Sequence, residues 1–522
     1  MAFGEECTLV FSSFLVAEGY NPFAFFLIEC LLLMEIPGEK CAVFGVFGKG
    51  LDVSRLSFFG LFALQHRGQE SAGIATADGE TITVHKGMGL VSQVFNDELI
   101  GSLKGHIAVG HNRYSTTGGS KVKHAQPMLA AGAGSLQKVS YEDPHPSLND
   151  SVSLCSAPDD GAIALVHNGN LPTTGALSEF LRSKDIDSSE FSDSRMIVEA
   201  IGVRMREGLL LPAAVKDVYP LMTGAFSILI MSRDTLVAVR DRCGIRPLSI
   251  AKLNGGYVVA SETCAFAPIG ATYLCEVNPG EMVAIDEKGM RSEQIAPADP
   301  KLDIFEFVYF ARPDSELLGK SVYEVRKNFG IQLAKEYPLE ADVVIPVPET
   351  AIPSAIGYAQ ALGISFEMGL VKNRYIHRTF ITPEQHIREQ GVKAKLTPLS
   401  EVMRGKRVVI FDDSIVRGTT SQQIVKMVFE AGAKEVHFLV SSPPVKFPDF
   451  YGIDTPKQSD LIAATKSVEE MREFLGATSL RFLSFEGMIQ ATGIPEDQFS
   501  TSCFTGIYPI DIRERAQEIT FR

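Results

Sequence analysis

The sequence is poor in positive charge. Among its 522 residues, 49 are Lys or Arg and 63 are Asp or Glu, which gives a formal net charge of −14. An acidic chain lacks the basic surface that a nucleic-acid duplex requires, so nucleic acid is excluded as the expected partner. The hydrophobic content of 45% supplies a large core and excludes disorder, collagen and coiled coil as descriptions of the whole chain. The length predicts two to four domains.

Cysteine is also scarce, and no two cysteines form a Cys-x-x-Cys pair. This argues against a disulfide scaffold, a zinc ribbon and a closely spaced cluster-binding motif. We therefore expect a reducing, cytoplasmic location. The eight cysteines are Cys7, Cys30, Cys41, Cys155, Cys243, Cys264, Cys275 and Cys503.

The apolar N-terminal stretch is too short for a membrane span. Residues 18–22 interrupt it, and its longer piece, residues 23–34, is well below the length that crosses a bilayer. No Lys or Arg precedes Lys40, whereas a signal peptide begins with positive charge. We expect neither a signal peptide nor a membrane partner. Residues 1–40 are interpreted as a leader or propeptide, or as a stretch upstream of a true start at Met34.

The rest of the chain changes character once. Residues 41–285 form short apolar runs separated by Gly and polar turns, which predicts a sheet-rich domain, with residues 130–161 as a surface insertion. Residues 286–302 form a linker. Residues 303–480 alternate buried strands with amphipathic helices, which predicts an α/β domain with a parallel sheet. A C-terminal helical segment, residues 481–522, follows.

The most informative run is a buried strand over residues 407–411, a polar loop, and a helix before a second strand over residues 436–440. The loop at the carboxyl end of a parallel strand faces the ligand crevice, and the next helix N-terminus attracts phosphate. Two adjacent carboxylates there suit a Mg²⁺-bound sugar ring. The helix places Ile424, Val425, Val428 and Phe429 on one apolar face. The candidate binding residues are Asp412, Asp413, Ser414, Arg417, Gly418, Thr419 and Thr420.

This run resembles the phosphoribosyl pyrophosphate (PRPP) signature of type I phosphoribosyltransferases. The resemblance implies that the acidic pair holds the ribose hydroxyls and that the loop holds the 5-phosphate. It also implies one Mg²⁺ per subunit at Thr350, Asp412 and Asp413. The basic stretch over residues 372–380 is interpreted as a mobile lid, with Lys372, Arg374 and Tyr375 contacting PRPP.

Cys41 opens a predicted strand, and a lone cysteine there is usually a small core residue. Its companions are the runs over residues 65–70, 110–116, 167–171 and 192–194. Together they resemble the class II, N-terminal-nucleophile glutamine amidotransferase domain. The resemblance implies an αββα sandwich for residues 41–285.

The chemistry of amide hydrolysis gives each of these residue types a reason. Cys41 is the candidate nucleophile, and an α-amino group with a pKa of about 8 can serve as its base only if Cys41 is residue one. Asn168 and the Gly169 N–H would form the oxyanion hole. Arg113 would bind the carboxylate of glutamine, and Asp193 would bind its ammonium group.

The two domains in this order resemble the amidophosphoribosyltransferase family. The resemblance implies a pentosyltransferase that hydrolyses glutamine, passes ammonia through an internal channel to PRPP, and releases glutamate, pyrophosphate and 5-phosphoribosylamine. This reaction is the first committed step of purine synthesis. Feedback inhibition by purine nucleotides and a homo-oligomer, commonly a tetramer, are also implied.

Part of this family carries a [4Fe–4S] cluster on four cysteines. Here Asp497 and Ser500 occupy the positions of a Cys-x-x-Cys before Cys503, and Asp449 precedes the Phe-Tyr-Gly run. We therefore expect no cluster. Three alternatives remain open: a PRPP-sensing regulator without turnover, a class II enzyme that aminates a sugar phosphate, and an enzyme whose retained leader limits it to ammonia.

Overall fold

The computed structural model describes residues 41–114, 122–130, 136–138, 149–155, 161–373, 396–451 and 457–520. These residues divide into two compact units. The first unit takes the described residues of Pro37–Val325, Lys446–Gln458 and Thr492–Arg522, and the second takes those of Arg326–Val445 and Ser459–Ala491. Both units therefore combine segments that are distant in sequence. The family-based domain limits at residues 41–285, 303–480 and 481–522 stay predictions.

The strands up to residue 325 are mostly short, as the sequence predicts. In chain order they are β1 (Ala42–Phe47), β2 (Ser71–Ala77), β3 (Thr81–Met88), β4 (Ile107–Arg113), β5 (Met128–Ala130), β6 (Leu136–Lys138), β7 (Asn149–Cys155), β8 (Ile163–Thr173), β9 (Thr223–Met231), β10 (Leu236–Arg240), β11 (Ser249–Leu253), β12 (Gly256–Ala260), β13 (Thr272–Glu276), β14 (Glu281–Asp286), β15 (Gly289–Gln294), β16 (Leu302–Asp303), β17 (Glu316–Leu317) and β18 (Lys320–Ser321).

Two antiparallel sheets form the centre of the first unit. One has the order β13-β11-β12-β1-β4-β2-β3-β7-β6, and the other has the order β15-β14-β10-β9-β8-β5. Val43 and Val109 of the first sheet share a core cluster with Val166 and Leu229 of the second, so the sheets pack face to face.

Helices cover the outer faces of both sheets. The cluster around Phe44 and Leu61 packs the first group of helices on one sheet, and the cluster around Ile197 and Phe226 packs the second group on the other. The predicted αββα sandwich is therefore confirmed. The first group is α1 (Val53–Ala63), α2 (Val91–Val94) and α3 (Asp97–Ser102), and the second is α4 (Gly175–Arg182), α5 (Asp193–Arg206) and α6 (Leu211–Val218).

The interpretation of residues 130–161 as a surface insertion is wrong in part. Strand β7 within this stretch pairs along its length with β3, with Val84 opposite Val152, and β6 pairs with β7. The Gly-, Ser- and Asp-rich composition hid these strands because their hydrogen bonds come from a neighbouring strand rather than from local propensity.

The helices and strands after residue 321 are, in chain order, α7 (Val322–Glu336), β19 (Val343–Pro346), α8 (Ile352–Leu362), β20 (Ser365–Phe366), β21 (Leu370–Lys372), β22 (Leu396–Pro398), α9 (Ser400–Met403), β23 (Arg407–Asp412), α10 (Thr419–Glu430), β24 (Glu435–Val440), α11 (Ile462–Thr465), α12 (Val468–Leu475), β25 (Ser479–Phe482), α13 (Phe485–Thr492), β26 (Phe499–Ser500) and α14 (Ser502–Thr505).

The second unit contains a parallel sheet in the order β20-β19-β23-β24-β25. The predicted strand, loop, helix and strand are confirmed at β23, the following loop, helix α10 and β24.

The predicted apolar face of α10 is wrong at one residue. Ile424, Val425 and Val428 of α10 are buried against the sheet, but Phe429 is 37% exposed. Within the described part of the chain, no helix has the length and hydropathy that a membrane crossing requires.

The contrast between Phe438 and Phe429 tests the core of the second unit. Phe438 on β24 is fully buried, so Phe438→Ala should lower the free energy of unfolding by about 3–5 kcal/mol, because it removes apolar contacts and leaves a cavity. The matched control Phe429→Ala should lower it by less than about 1.5 kcal/mol. Denaturant unfolding measures both, and equal losses would contradict the placement of the two rings.

Candidate active sites

The first candidate site lies where β1 begins. Cys41 directly precedes β1 and is half-buried, with its Sγ 3.8 Å from the carbonyl oxygen of Tyr114. Strand β1 pairs with β4 so that Ala42 lies opposite Asn112. The ladder therefore places Cys41 at the same sheet end as Arg113, the last residue of β4.

The surroundings of Cys41 keep its sulfur protonated. Burial raises the pKa of the Cys41 thiol, and the negative charges of Glu70 and Asp193 add to this, against the opposing positive charge of Arg113. The net shift is upward from the usual range. A thiol in this state needs a base before it can act as a nucleophile.

The predicted oxyanion-hole residues lie on β8. Asn168 is buried, and within the described residues its Nδ2 has no hydrogen-bond partner. Gly169 has a φ of 151°, and a Cβ there would lie 2.0 Å from the carbonyl oxygen of Ala225. Only glycine fits this position, and the buried Asn168 amide is a donor without an acceptor.

Asp193 begins α5 next to this strand. Its Oδ2 accepts a hydrogen bond from Leu171 N (3.2 Å), and its Oδ1 accepts one from Ser194 Oγ (3.1 Å). His111 Nε2 lies 3.0 Å from the carbonyl oxygen of His167, which ties β4 to β8. The structure therefore brings Cys41, Arg113, Asn168, Gly169 and Asp193 to one place.

Two neighbours of this site are not among the candidates from the sequence. Glu70 Oε1 lies 2.8 Å from an Arg113 guanidinium nitrogen, and both side chains are largely buried. His167 Nδ1 lies 3.0 Å from Ser194 Oγ, and burial lowers the pKa of the imidazole, so His167 is neutral at pH 7. Both residues fall inside motifs noted in the sequence, but no spacing rule assigns them a partner.

The second candidate site lies at the carboxyl edge of the parallel sheet. Strands β19 and β23 are parallel neighbours, so Thr350 and Asp413, which follow them, meet. Thr350 Oγ1 donates a hydrogen bond to Asp413 Oδ2, and Ser414 Oγ donates to Asp413 Oδ1 at 2.8 Å. The structure therefore places Thr350 in contact with the acidic pair, and its role as a metal ligand stays a prediction.

The acidic pair is buried, and its protein neighbours do not offset the effect of that burial on the two carboxyl groups. Burial raises the pKa of Asp412 well above its usual range, and the charge of Asp413 adds to this effect. Burial also raises the pKa of Asp413, although the Thr350 and Ser414 hydroxyls and the charge of Arg326 oppose it. In the described residues no three His, Cys, Asp or Glu side chains form a complete metal cage. Two carboxylates and a hydroxyl fit Mg²⁺, which takes its other ligands from water and substrate phosphates.

The loop after the acidic pair ends at the N-terminus of α10. Gly418, with a φ of 86°, precedes the first helical residue, Thr419, so the loop turns directly into the N-terminus of α10. Arg417 lies 3.9 Å from Asp460. Ser414 and Thr420 belong to the same loop and helix start, as predicted.

The predicted lid is described only in part. Lys372 ends β21 and is exposed, whereas Arg374 and Tyr375 lie outside the described residues.

Asp449, Ser500 and Cys503 stand where part of the family has cluster-binding cysteines, and all three form contacts within the first unit. Asp449 Oδ1 accepts a hydrogen bond from Tyr451 N at 2.7 Å and lies 3.7 Å from Arg246. Ser500 lies on β26, which pairs with β16. Cys503 is buried, and its carbonyl accepts hydrogen bonds from the chain at Lys446. The expected absence of a cluster stays a prediction.

Comparisons with known proteins find relatives over most of the chain. A family model for a glutamine amidotransferase domain matches residues 150–268, and one for a phosphoribosyl transferase domain matches residues 318–443. The amidophosphoribosyltransferase of Synechococcus elongatus is 46% identical over 495 residues, which cover 93% of this chain and 95% of the relative.

Two solved structures are similar over nearly their whole length. One, described as the allosteric regulatory enzyme of purine biosynthesis, has a TM-score of 0.82 and 42% identity, covering 92% of this chain and 99% of its own. The other is the glutamine PRPP amidotransferase of Bacillus subtilis complexed with ADP and GMP. It has a TM-score of 0.80 and 43% identity, covering 91% of this chain and 98% of its own.

The raised pKa of Cys41 predicts a pH profile for its alkylation. The thiolate is the reactive form, so the rate of reaction with iodoacetamide should rise at higher pH in the native full chain than in the urea-unfolded chain. Mass spectrometry of the Cys41 peptide measures both profiles. A native midpoint equal to or below the unfolded one would contradict the burial argument.

Proposed function

We propose, from the premise that the chain belongs to the amidophosphoribosyltransferase family, that each candidate site performs one half of the glutamine-dependent amination of PRPP. The observation that supports the glutamine half best is the buried Asn168 amide, whose Nδ2 has no acceptor among the described residues. Burying a hydrogen-bond donor without an acceptor costs free energy of folding, unless a ligand supplies the acceptor. The oxyanion of an amide undergoing attack at Cys41 is such a ligand.

The glutamine half proceeds through a thioester. The Cys41 thiolate attacks the side-chain amide carbon, ammonia leaves, and water hydrolyses the thioester to glutamate. Because burial raises the pKa of the thiol, a base must remove its proton, and the α-amino group of Cys41 can do so once residues 1–40 are absent. Leader removal or a start at Met34 followed by trimming is therefore part of the proposal. N-terminal sequencing of the active enzyme tests it.

The other residues of this site bind the substrate. Asn168 and the Gly169 N–H stabilise the oxyanion, and losing one such donor typically costs about 3 kcal/mol. Arg113, held by Glu70, pairs with the α-carboxylate of glutamine, and Asp193 accepts from its ammonium group.

The PRPP half uses the second site. Asp412 and Asp413 accept hydrogen bonds from the ribose hydroxyls, and Ser414, Arg417, Gly418, Thr419 and Thr420 bind the 5-phosphate at the N-terminus of α10. Thr350, Asp412 and Asp413 would hold one Mg²⁺, which supplies charge neutralisation for the diphosphate leaving group. Lys372, Arg374 and Tyr375 are proposed to contact the diphosphate of PRPP, on the basis of the sequence resemblance alone.

Regulation and assembly are proposals as well. A relative solved with ADP and GMP supports purine nucleotides as feedback inhibitors of this enzyme. A homotetramer and a cytoplasmic location are proposed on the family resemblance.

Replacing Cys41 should affect the reaction with glutamine but not the reaction with ammonia. Cys41→Ala should abolish glutamine-dependent pyrophosphate release from PRPP and leave the ammonia-dependent rate within about twofold, because ammonia bypasses the thioester. Cys275→Ala, at an exposed cysteine of the same unit, is the matched control and should retain both rates. Glutamine turnover by Cys41→Ala would refute the nucleophile.

Replacing Asp413 should affect the reaction with glutamine and the reaction with ammonia alike. Asp413→Asn should lower pyrophosphate release at least about 100-fold with either glutamine or ammonia, because the shared PRPP site loses a charge that binds metal and ribose. Asp342→Asn, at a carboxylate of the same unit that pairs with Arg407, should change neither rate. Full activity of Asp413→Asn with ammonia would contradict this role.

A further inference from the structure

The residue that follows the two oxyanion-hole candidates contacts a segment far away in the chain. Asn170 Nδ2 donates a hydrogen bond to the carbonyl oxygen of Phe450 at 2.9 Å, although the two residues lie 280 positions apart. Both residues belong to the first unit, and Asn170 is half-buried. Asn170 has no part in the mechanism above.

Asn170 lies at the point where β8 leaves its regular pairing. Strand β8 pairs with β9 without interruption up to Asn170, opposite Ala225, and the register then shifts before pairing resumes at Thr173. Asn168 and Gly169 are therefore the last residues before Asn170 in the uninterrupted ladder. The end of a ladder opens more easily than its centre. A displacement of about 1 Å at a reacting group can cost about 100-fold in rate, so this end needs a further contact to hold it.

The opposite strand is held by the same distant segment. Ser227 on β9 lies opposite Asn168, and its Oγ donates to the carbonyl oxygen of Arg246 at 3.0 Å. The buried guanidinium of Arg246 donates from Nε to the carbonyl oxygen of Tyr451 at 3.0 Å. Two consecutive carbonyls, those of Phe450 and Tyr451, thus hold both strands at the end of the ladder.

An apolar cluster joins the same elements. Ala225 of β9 shares this cluster with Phe450 and Tyr451, and with Ile510 near the end of the sequence, and all four are buried. The carbonyl oxygen of Ala225 is also the atom that a Cβ at Gly169 would meet at 2.0 Å. Packing of the distant segment on Ala225 therefore fixes the strand against which Gly169 lies.

The segment that carries the two carbonyls is itself fixed. Tyr451 Oη donates to the carbonyl oxygen of Ile510 at 2.6 Å and accepts from Ile510 N at 3.0 Å. The ring centroid of Phe450 lies 5.3 Å from that of Tyr508, whose Oη donates to the carbonyl oxygen of Pro448 at 2.6 Å. The Phe450 carbonyl is therefore held in one position as an acceptor for Asn170.

We propose that Asn170 is a positioning residue for glutamine hydrolysis: its amide, bound to the Phe450 carbonyl, fixes the end of β8 and with it the two oxyanion donors. The inference rests on the proposed function of those donors, the Asn168 amide and the Gly169 N–H. Asn170 acts through the backbone of β8, whereas other residues bind glutamine. Its loss therefore weakens the stabilisation of the oxyanion, which forms only during the reaction, and leaves the affinity for glutamine unchanged.

The test compares Asn170→Ala with Asn328→Ala in the active enzyme. Asn328 is the matched control because its Nδ2 also donates to a distant backbone carbonyl, that of Ala491 at 3.4 Å, in the second unit. Asn170→Ala should lower kcat with glutamine at least about fivefold, with KM for glutamine and the ammonia-dependent rate each within about twofold. Asn328→Ala should leave all three within about twofold.

Two reagents that alkylate Cys41 separate a loss of the oxyanion hole from a change in the thiol. A diazoketone analogue of glutamine places a ketone oxygen where the amide oxygen of glutamine binds. Its maximal rate of inactivation should therefore fall in Asn170→Ala, while its half-saturating concentration stays within about twofold. Iodoacetamide reacts with the thiolate without occupying the glutamine site, so its rate at Cys41 should also stay within about twofold.

Two further variants cover the case in which Asn170→Ala fails to fold. Asn170→Ser breaks the contact with Phe450 but keeps a polar group that water can bind, so it should lower kcat with glutamine several-fold at unchanged KM. Asn170→Gln keeps an amide donor on a longer side chain. It should therefore retain more of the kcat with glutamine than Asn170→Ser does.

Three results would overturn the inference. A kcat with glutamine within about twofold of the parent enzyme would show that the Asn170 contact has no effect on the chemistry. A rise in KM alone would make Asn170 a binding residue, and an equal fall with glutamine and ammonia would make it a purely structural one. Each of these is distinct from failure of the proposed function, in which Cys41→Ala itself would retain glutamine turnover.

Discussion

The pairing of β1 with β4 is the constraint on which the proposed glutamine site depends. It places Cys41 at the sheet end where Arg113 also lies. The contact between His111 and His167 links this strand to β8 of the second sheet, which carries the buried Asn168 amide. A shift of one residue in this register would turn every side chain of β1 to the opposite face. The chemistry of the site thus follows from strand pairing in the centre of the sandwich.

In the second unit, parallel rather than antiparallel strand pairing brings the candidate site residues together. Parallel strands bring their carboxyl ends to one edge, so Thr350 and Asp413 meet although they lie 63 residues apart along the chain. The N-terminus of α10 adds N–H donors at the same edge. Burial raises the pKa of both carboxylates, and the proposed Mg²⁺ and ribose hydroxyls would favour their ionised forms.

The strand, loop and helix of the second site could be predicted from the sequence because their signal is local. Strand, acidic pair, glycine and helix follow one another within residues 407–430, and each element is recognisable from its own residues. The ion pair between Glu70 and Arg113 could not be found this way, since the two residues lie 43 positions apart along the chain. Strand β7 and the exposed ring of Phe429 were missed for a related reason: tertiary neighbours, not local composition, decide them.

The most direct test of the account is to trap the nucleophile in the active enzyme. A glutamine analogue with an electrophilic side chain should label one residue, and mass spectrometry of the labelled peptide identifies both the residue and its N-terminus. The account predicts a label on the sulfur of Cys41 in a peptide that begins at Cys41. A label on another residue, or on Cys41 with residue 40 still attached in fully active enzyme, would contradict it.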